Sequence, residues 1–197
     1  MGYDYRESAF DIVIRIICIV ALGLLAGLAV AAELTGQVVG VSDGDTVTVL
    51  DAAHQQHKIR LSGIDAPEKR QAYGERSKKH LSDLVYGKSV LVIWEKRDRY
   101  GRIVGRVLAP ECNPTCRYSR DAGLEQLKAG LAWHYKQYEK EQSLDDRAGY
   151  SSSEEQARSR REGLWKEPDA VPPWQFRRQT SLPADRLLAA AATITPR

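Results

Sequence analysis

The chain has 197 residues, of which 43% are apolar and 28% charged, with a formal net charge of +3. That is enough for one domain with a sizeable core plus short extensions, and the proportions are those of an ordinary globular protein rather than of a natively unstructured one. The basic excess is mild and points only weakly to an anionic partner.

The first 32 residues differ from the rest. Ile12 to Ala32 is almost wholly apolar, broken only by Arg15, and "CIVALGLLAGLAVAA" carries no charge. Ala29-Val30-Ala31 fits the small-x-small rule for signal-peptidase cleavage. The segment is therefore expected to be a signal peptide, with the mature chain secreted or periplasmic. A retained anchor that holds the chain on the outer side of a membrane is the alternative, although the charge-free run is short for a full span. The expected division is leader 1–32, folded domain 33–166 and tail 167–197.

After the leader, period-two alternation predicts strands over Leu34 to Val41 and Thr46 to Leu50, joined by a bend at Asp43-Gly44. His57 to Ser62 reads as a third strand. From Tyr73 to Tyr86 the period becomes helical, with Leu81, Leu84 and Val85 on one face and Gly87 as a stop. "KSVLVIWEK" and "GRIVGRVLA" are a fourth and fifth strand around the charged turn Asp98 to Gly101. A helix follows over Asp121 to Ala129, capped by Asp121. Ser152 with Glu155 reads as a capping box for another helix that ends at Gly163. Leu164-Trp165 look like a packing anchor, and the Pro- and Arg-rich tail beyond reads as extended. The order suggests an α+β fold, a five-stranded OB-type Greek-key barrel with three helices.

Of three cysteines, Cys18 lies in the leader. Cys112 and Cys116 form a disulfide if the compartment is oxidising, or are two free loop thiols if it is not. A zinc site is disfavoured, because no second Cys or His pair sits at ligand spacing. The four histidines fall outside the motifs below and read as incidental.

Three patterns gather charge at strand ends: "SDGDT" at Ser42 to Thr46, "RLSGIDAPE" at Arg60 to Glu68, and "DRYGR" at Asp98 to Arg102. Each alone has a plain explanation in turn chemistry, although Asp45, a second acid just past the bend, has no turn role to fill. Together they make a chemical set. Asp45 and Asp65 are hard oxygen donors suited to Ca2+ or Mg2+. Arg60 and Arg102 offer guanidinium forks for phosphate oxygens. Glu68 is a spare carboxylate able to position or deprotonate water.

In this order and separation the patterns resemble the staphylococcal nuclease (thermonuclease) family. The likeness extends over about residues 34–165 and includes "GLAW" at 130–133 and "REGLW" at 161–165. The resemblance implies a Ca2+-dependent nuclease acting on DNA and RNA, single strands by preference, and leaving 3′-phosphorylated products. It implies Asp45, Asp65 and the Ala66 carbonyl as metal ligands, with Ala66 standing where the founding nuclease has Thr. It implies Glu68 as general base, Arg60 and Arg102 as phosphate clamps, Asp43 as support for the ligands, and Tyr100, Tyr135 or Tyr138 as substrate contacts. A monomer is expected. "KRQAYGERS" is shorter than the mobile loop of the founding nuclease, which bears on substrate preference. Two other functions stay open: an OB barrel that binds nucleic acid without cutting it, and an anchored barrel that contacts another protein.

Overall fold

Alternating strands close into a barrel because each buries its inward residues against the same core. The structure is a computed structural model and describes residues 31–112 and 115–180. Residues 1–30 of the expected leader lie outside the described residues, as does the end of the tail, while Ala32, its expected last residue, already belongs to the first strand. The strands are β1 (Ala32–Val41), β2 (Thr46–Asp51), β3 (Gln56–Leu61), β4 (Ile64–Asp65), β5 (Ser89–Arg97), β6 (Ile103–Cys112), β7 (Cys116–Asp121) and β8 (Trp133–His134). The helices are α1 (Gly74–Val85), α2 (Ala122–Lys128), α3 (Leu144–Ser159) and α4 (Pro173–Thr180), with 3-10 turns at Lys136–Glu141 and Gly163–Lys166.

The main sheet runs β3-β2-β1-β5-β6-β7, and parallel pairing of β3 with β6 closes its first five strands into the expected barrel. β1 serves both halves. Its first part pairs with β5 and its second with β2, and a bulge near Val39 bends it between them. Val47, Val49, Ile59, Val90, Val92 and Val107 are completely buried inside. Leu81, Leu84 and Val85 of α1 join this core cluster. Each such side chain stabilises the fold by about 1.5–3 kcal/mol through removal from water.

Asp121 caps α2 as expected, accepting from the amides of Gly123 and Leu124 at 2.9 and 3.1 Å. The next helix starts earlier than the sequence suggests. Ser143 is the cap of α3 and accepts from the Asp146 amide at 3.1 Å. Ser152, the expected cap, lies inside the helix, because Asp145 and Asp146 favour the positive N-terminus more than two turns upstream. β7 is also additional to the five expected strands. Its residues are exposed down to Asp121, so burial imposes no alternation on them. Cys112 and Cys116 face each other across the β6–β7 pairing and are joined by a disulfide.

The "GLAW" and "REGLW" stretches pack on each other. Leu164 donates its amide to the Gly130 carbonyl at 2.8 Å, and the Trp133 and Trp165 rings meet edge to face at 5.3 Å. Gly130 and Gly163 have φ of 63° and 55°. A β-carbon on Gly163 would lie 2.1 Å from the Gly130 carbonyl oxygen, and one on Gly130 would lie 2.3 Å from that of Glu162. The tail departs most from expectation. Instead of running extended, it folds back after Pro172 as α4.

Candidate active site

The Asp43–Asp45 bend joins β1 to β2. The Asp45 amide donates to Asp43 Oδ1 at 3.1 Å, an Asx turn that points the second carboxylate inward. No side chain fits at Gly44, where a β-carbon would stand 1.9 Å from Ser77 Oγ and 2.7 Å from the Ala66 β-carbon. Gln126 of α2, fully buried, donates its amide to the Gly44 carbonyl at 2.6 Å and the Ser77 carbonyl at 3.0 Å. The bend is thereby strapped to two helices.

Asp45 is 7% exposed. Its Oδ2 accepts from the Ala66 amide at 2.9 Å and its Oδ1 from Thr46 Oγ1 at 3.0 Å. Arg60 of β3 sits opposite Thr46 in the ladder. Its Nη2 donates to Asp65 Oδ1 at 2.8 Å and to the Ile64 carbonyl at 3.3 Å. Its Nη1 forms an ion pair with Asp45 Oδ2 at 2.5 Å without hydrogen-bond alignment, so this buried donor has no hydrogen-bonded partner among the described residues. Asp65, 1% exposed, is held by the short β4–β8 pairing with Trp133 of "GLAW".

Burial and the neighbouring Asp45 push the Asp43 carboxyl up to about 6. Burial pushes Asp45 up too, but the Arg60 guanidinium and the Ala66 amide hold it below the usual carboxylate range. Burial raises Asp65 by more than Arg177 and Arg60 pull it down. The charges of Asp43 and Asp65 are therefore incompletely compensated, while that of Asp45 is offset by Arg60.

The other half of the site is open. The Glu68 side chain is 39% exposed. Arg102, at the β5–β6 turn, donates from Nε to Asp98 Oδ2 at 2.7 Å, and its guanidinium lies 5.6 Å from the centre of the Tyr100 ring. Tyr100 is 69% exposed. Tyr135 and Tyr138 meet edge to face at 5.1 Å. Asp43, Asp45, Arg60, Asp65, Ala66, Glu68 and Arg102 all line one cavity of about 990 Å³, together with Tyr100, Tyr135 and Tyr138. The Cys112–Cys116 bridge sits apart from it, at the end of the β6–β7 pair.

Arg177 of α4 also lines this cavity, and sequence reasoning did not find it. Its Nη2 donates to Asp65 Oδ2 at 2.7 Å and its Nη1 to Glu68 Oε1 at 2.6 Å. The available signal was slight: Trp174 and Arg177 are three residues apart, the spacing of one helical face. Gln126 was also missed, as a polar residue in a helix that was read only for its caps.

The donors fit a hard divalent cation. Asp45 and Asp65 bring carboxylate oxygens to one place, and Ala66 lies against Asp45 through its amide. Among the described residues no three His, Cys, Asp or Glu side chains form a metal-holding group. Asp45, Asp65 and the Ala66 carbonyl are the groups that could hold such a cation.

Known proteins are similar to this chain in sequence. A family model described as "Staphylococcal nuclease homologue" matches residues 58–167. A protein of Escherichia coli named "Uncharacterized endonuclease" is 41% identical over 146 residues, covering 74% of this chain and 86% of its own. The "Micrococcal nuclease" of Shigella flexneri is 37% identical over 159 residues, 80% of this chain and 88% of its own. The "Staphylococcal-like nuclease CAN1" of Arabidopsis thaliana is 38% identical over 124 residues, 63% of this chain and 34% of its own.

Proposed function

This chain belongs to the staphylococcal nuclease family, and from that premise we propose that it is a Ca2+-dependent nuclease that hydrolyses DNA and RNA to 3′-phosphorylated products. The observation that carries this reading is the shared cavity. Two buried acids, two arginines and one half-exposed acid from separate loops face a single space.

In the proposed reaction Glu68 accepts the proton of the attacking water. It is exposed enough to meet solvent and lies three residues beyond Asp65, so the water is delivered beside the cation site. Arg60 and Arg102 donate to the non-bridging phosphate oxygens as charge builds on the five-coordinate phosphorus. The bond to the 5′ oxygen breaks, that oxygen takes a proton from solvent water and leaves as a hydroxyl, and the phosphate stays on the 3′ side. A cation held by Asp45, Asp65 and the Ala66 carbonyl would neutralise phosphate charge and polarise the phosphorus. The exposed tyrosines at the rim offer stacking faces, which favours an unpaired strand over a duplex.

Digestion of end-labelled single-stranded and duplex oligonucleotides, with Ca2+ and with a chelator, tests the reading. The expected result is cleavage that requires the cation, is faster on single strands and leaves a 3′-phosphate. Binding without cleavage at every Ca2+ concentration would identify a nucleic-acid-binding barrel instead.

Export to the periplasm or medium as a monomer completes the proposal. It is supported by the apolar leader and by the paired cysteines, since an oxidising compartment sustains disulfides. Sequencing the N-terminus of the exported product distinguishes a cleaved leader from a retained anchor.

A further inference from the structure

The last described helix ends inside the candidate site, and its contacts there compete with the chemistry just proposed. Arg177 places one fork nitrogen on each of two acids. Nη2 meets Asp65 Oδ2 at 2.7 Å, and Nη1 meets Glu68 Oε1 at 2.6 Å and Asp65 Oδ1 at 3.3 Å. One of these acids is a proposed metal ligand and the other the proposed base. A guanidinium bound in this way occupies the lone pairs that a cation needs, and it places a positive charge where a second one is repelled. With Oε1 committed to Arg177, Glu68 has only Oε2 left to meet water.

Contacts to the barrel side of the site hold the helix in place. Trp174 stacks on Tyr135 with ring centres 5.6 Å apart and planes 16° from parallel. The Gln71 side-chain amide donates to the Val171 carbonyl at 2.5 Å. Pro173 is buried, but the Arg177 side chain is 43% exposed. The helix has 8 residues, and a helix this short does not persist alone in water. Once its two ends let go, the segment comes away as a unit. Tyr135, the partner of Trp174, is also one of the tyrosines on the open rim of the site.

We propose that α4 is an autoinhibitory strap, in which Arg177 stands in for the divalent cation at Asp65 and restrains Glu68 until cation and substrate displace it. This rests on the cation reading above. It lies outside the family match, which ends at residue 167.

Calorimetric titration of the full chain with Ca2+ alone, without nucleic acid, tests the strap. Wild type is compared with Arg177→Ala and Trp174→Ala. If the open state is about one tenth populated, Arg177→Ala binds Ca2+ about tenfold more tightly than wild type. Trp174→Ala keeps the charge of Arg177 but loses the stack, and it also binds more tightly. In wild type, Ca2+ speeds tryptic cleavage after Arg177 and Arg178. Equal or weaker binding by Arg177→Ala overturns the strap while the cation site stands. Tighter binding by Arg177→Ala with none by Trp174→Ala reduces the effect to charge alone and also overturns it. Absence of Ca2+ binding in all three chains removes the cation reading itself, and the strap with it.

Discussion

Asp65 and Asp121 are both buried aspartates paired with arginine, yet they sit in opposite kinds of surroundings. Asp121 accepts from the amides of Gly123 and Leu124, from Tyr150 Oη at 2.9 Å, and from Arg106 Nε at 2.9 Å. All of these donors belong to the junction of the barrel with α2 and α3. Asp65 accepts from Arg60 and from Arg177, and the second reaches it from a tail helix 112 residues further along the chain. A buried acid therefore does not identify a site. What separates the two is whether the fold itself supplies every donor, or leaves oxygens to a partner that can be exchanged.

The widest test of this contrast is the same substitution at both positions. Asp121→Asn breaks a buried ion pair with its cap and costs about 3 kcal/mol, read from the urea midpoint at constant slope. Asp65→Asn relieves a charge that burial already disfavours, so stability holds or rises while hydrolysis is lost. Equal losses of stability at the two positions would break the comparison.

Glu68→Gln sharpens it on the open side of the cavity. Hydrolysis falls at least ~10²-fold, the scale of a lost general base, and the melting temperature stays where it was. The Cys112→Ser, Cys116→Ser double variant probes a covalent staple outside the site. The chain-entropy account gives so short a ring about 2 kcal/mol, with cleavage per folded molecule unchanged. The smallest effect is expected at Gln126→Met, which leaves the Gly44 carbonyl without its buried donor for about 1–2 kcal/mol. Because that carbonyl steadies Asp45, the variant also weakens Ca2+ binding in a calorimetric titration.

The barrel is legible in the sequence because burial on one face forces alternation, as at Val47 and Val49 or Val90 and Val92. β7 is not legible, since neither of its faces is covered until Asp121. The α3 cap was misplaced because Ser152 with Glu155 satisfies a local pattern as well as Ser143 does. Only the packed helix shows which serine meets free amides. Asp45, Arg60, Asp65 and Arg102 stand in short motifs whose acids and arginines exceed what a turn needs. Arg177 has no such local excess. Its meaning depends on chain reversal at Pro172 and on the stacking of Trp174 on Tyr135, 39 residues before that tryptophan in the sequence. Contacts of that range leave no periodic trace.

Gly130 and Gly163 extend the lesson to the interpretation of mutational maps. The Gly130 carbonyl fills the space that a β-carbon on Gly163 would take, and the Glu162 carbonyl fills that of one on Gly130, so no single replacement, however small, can be absorbed by the facing loop. A saturation screen scored for surviving cleavage should find both as intolerant as the acids of the cavity, although neither comes near a phosphate. Sensitivity at such places reports how two loops interlock, and only a parallel measurement of folded protein tells that apart from chemistry.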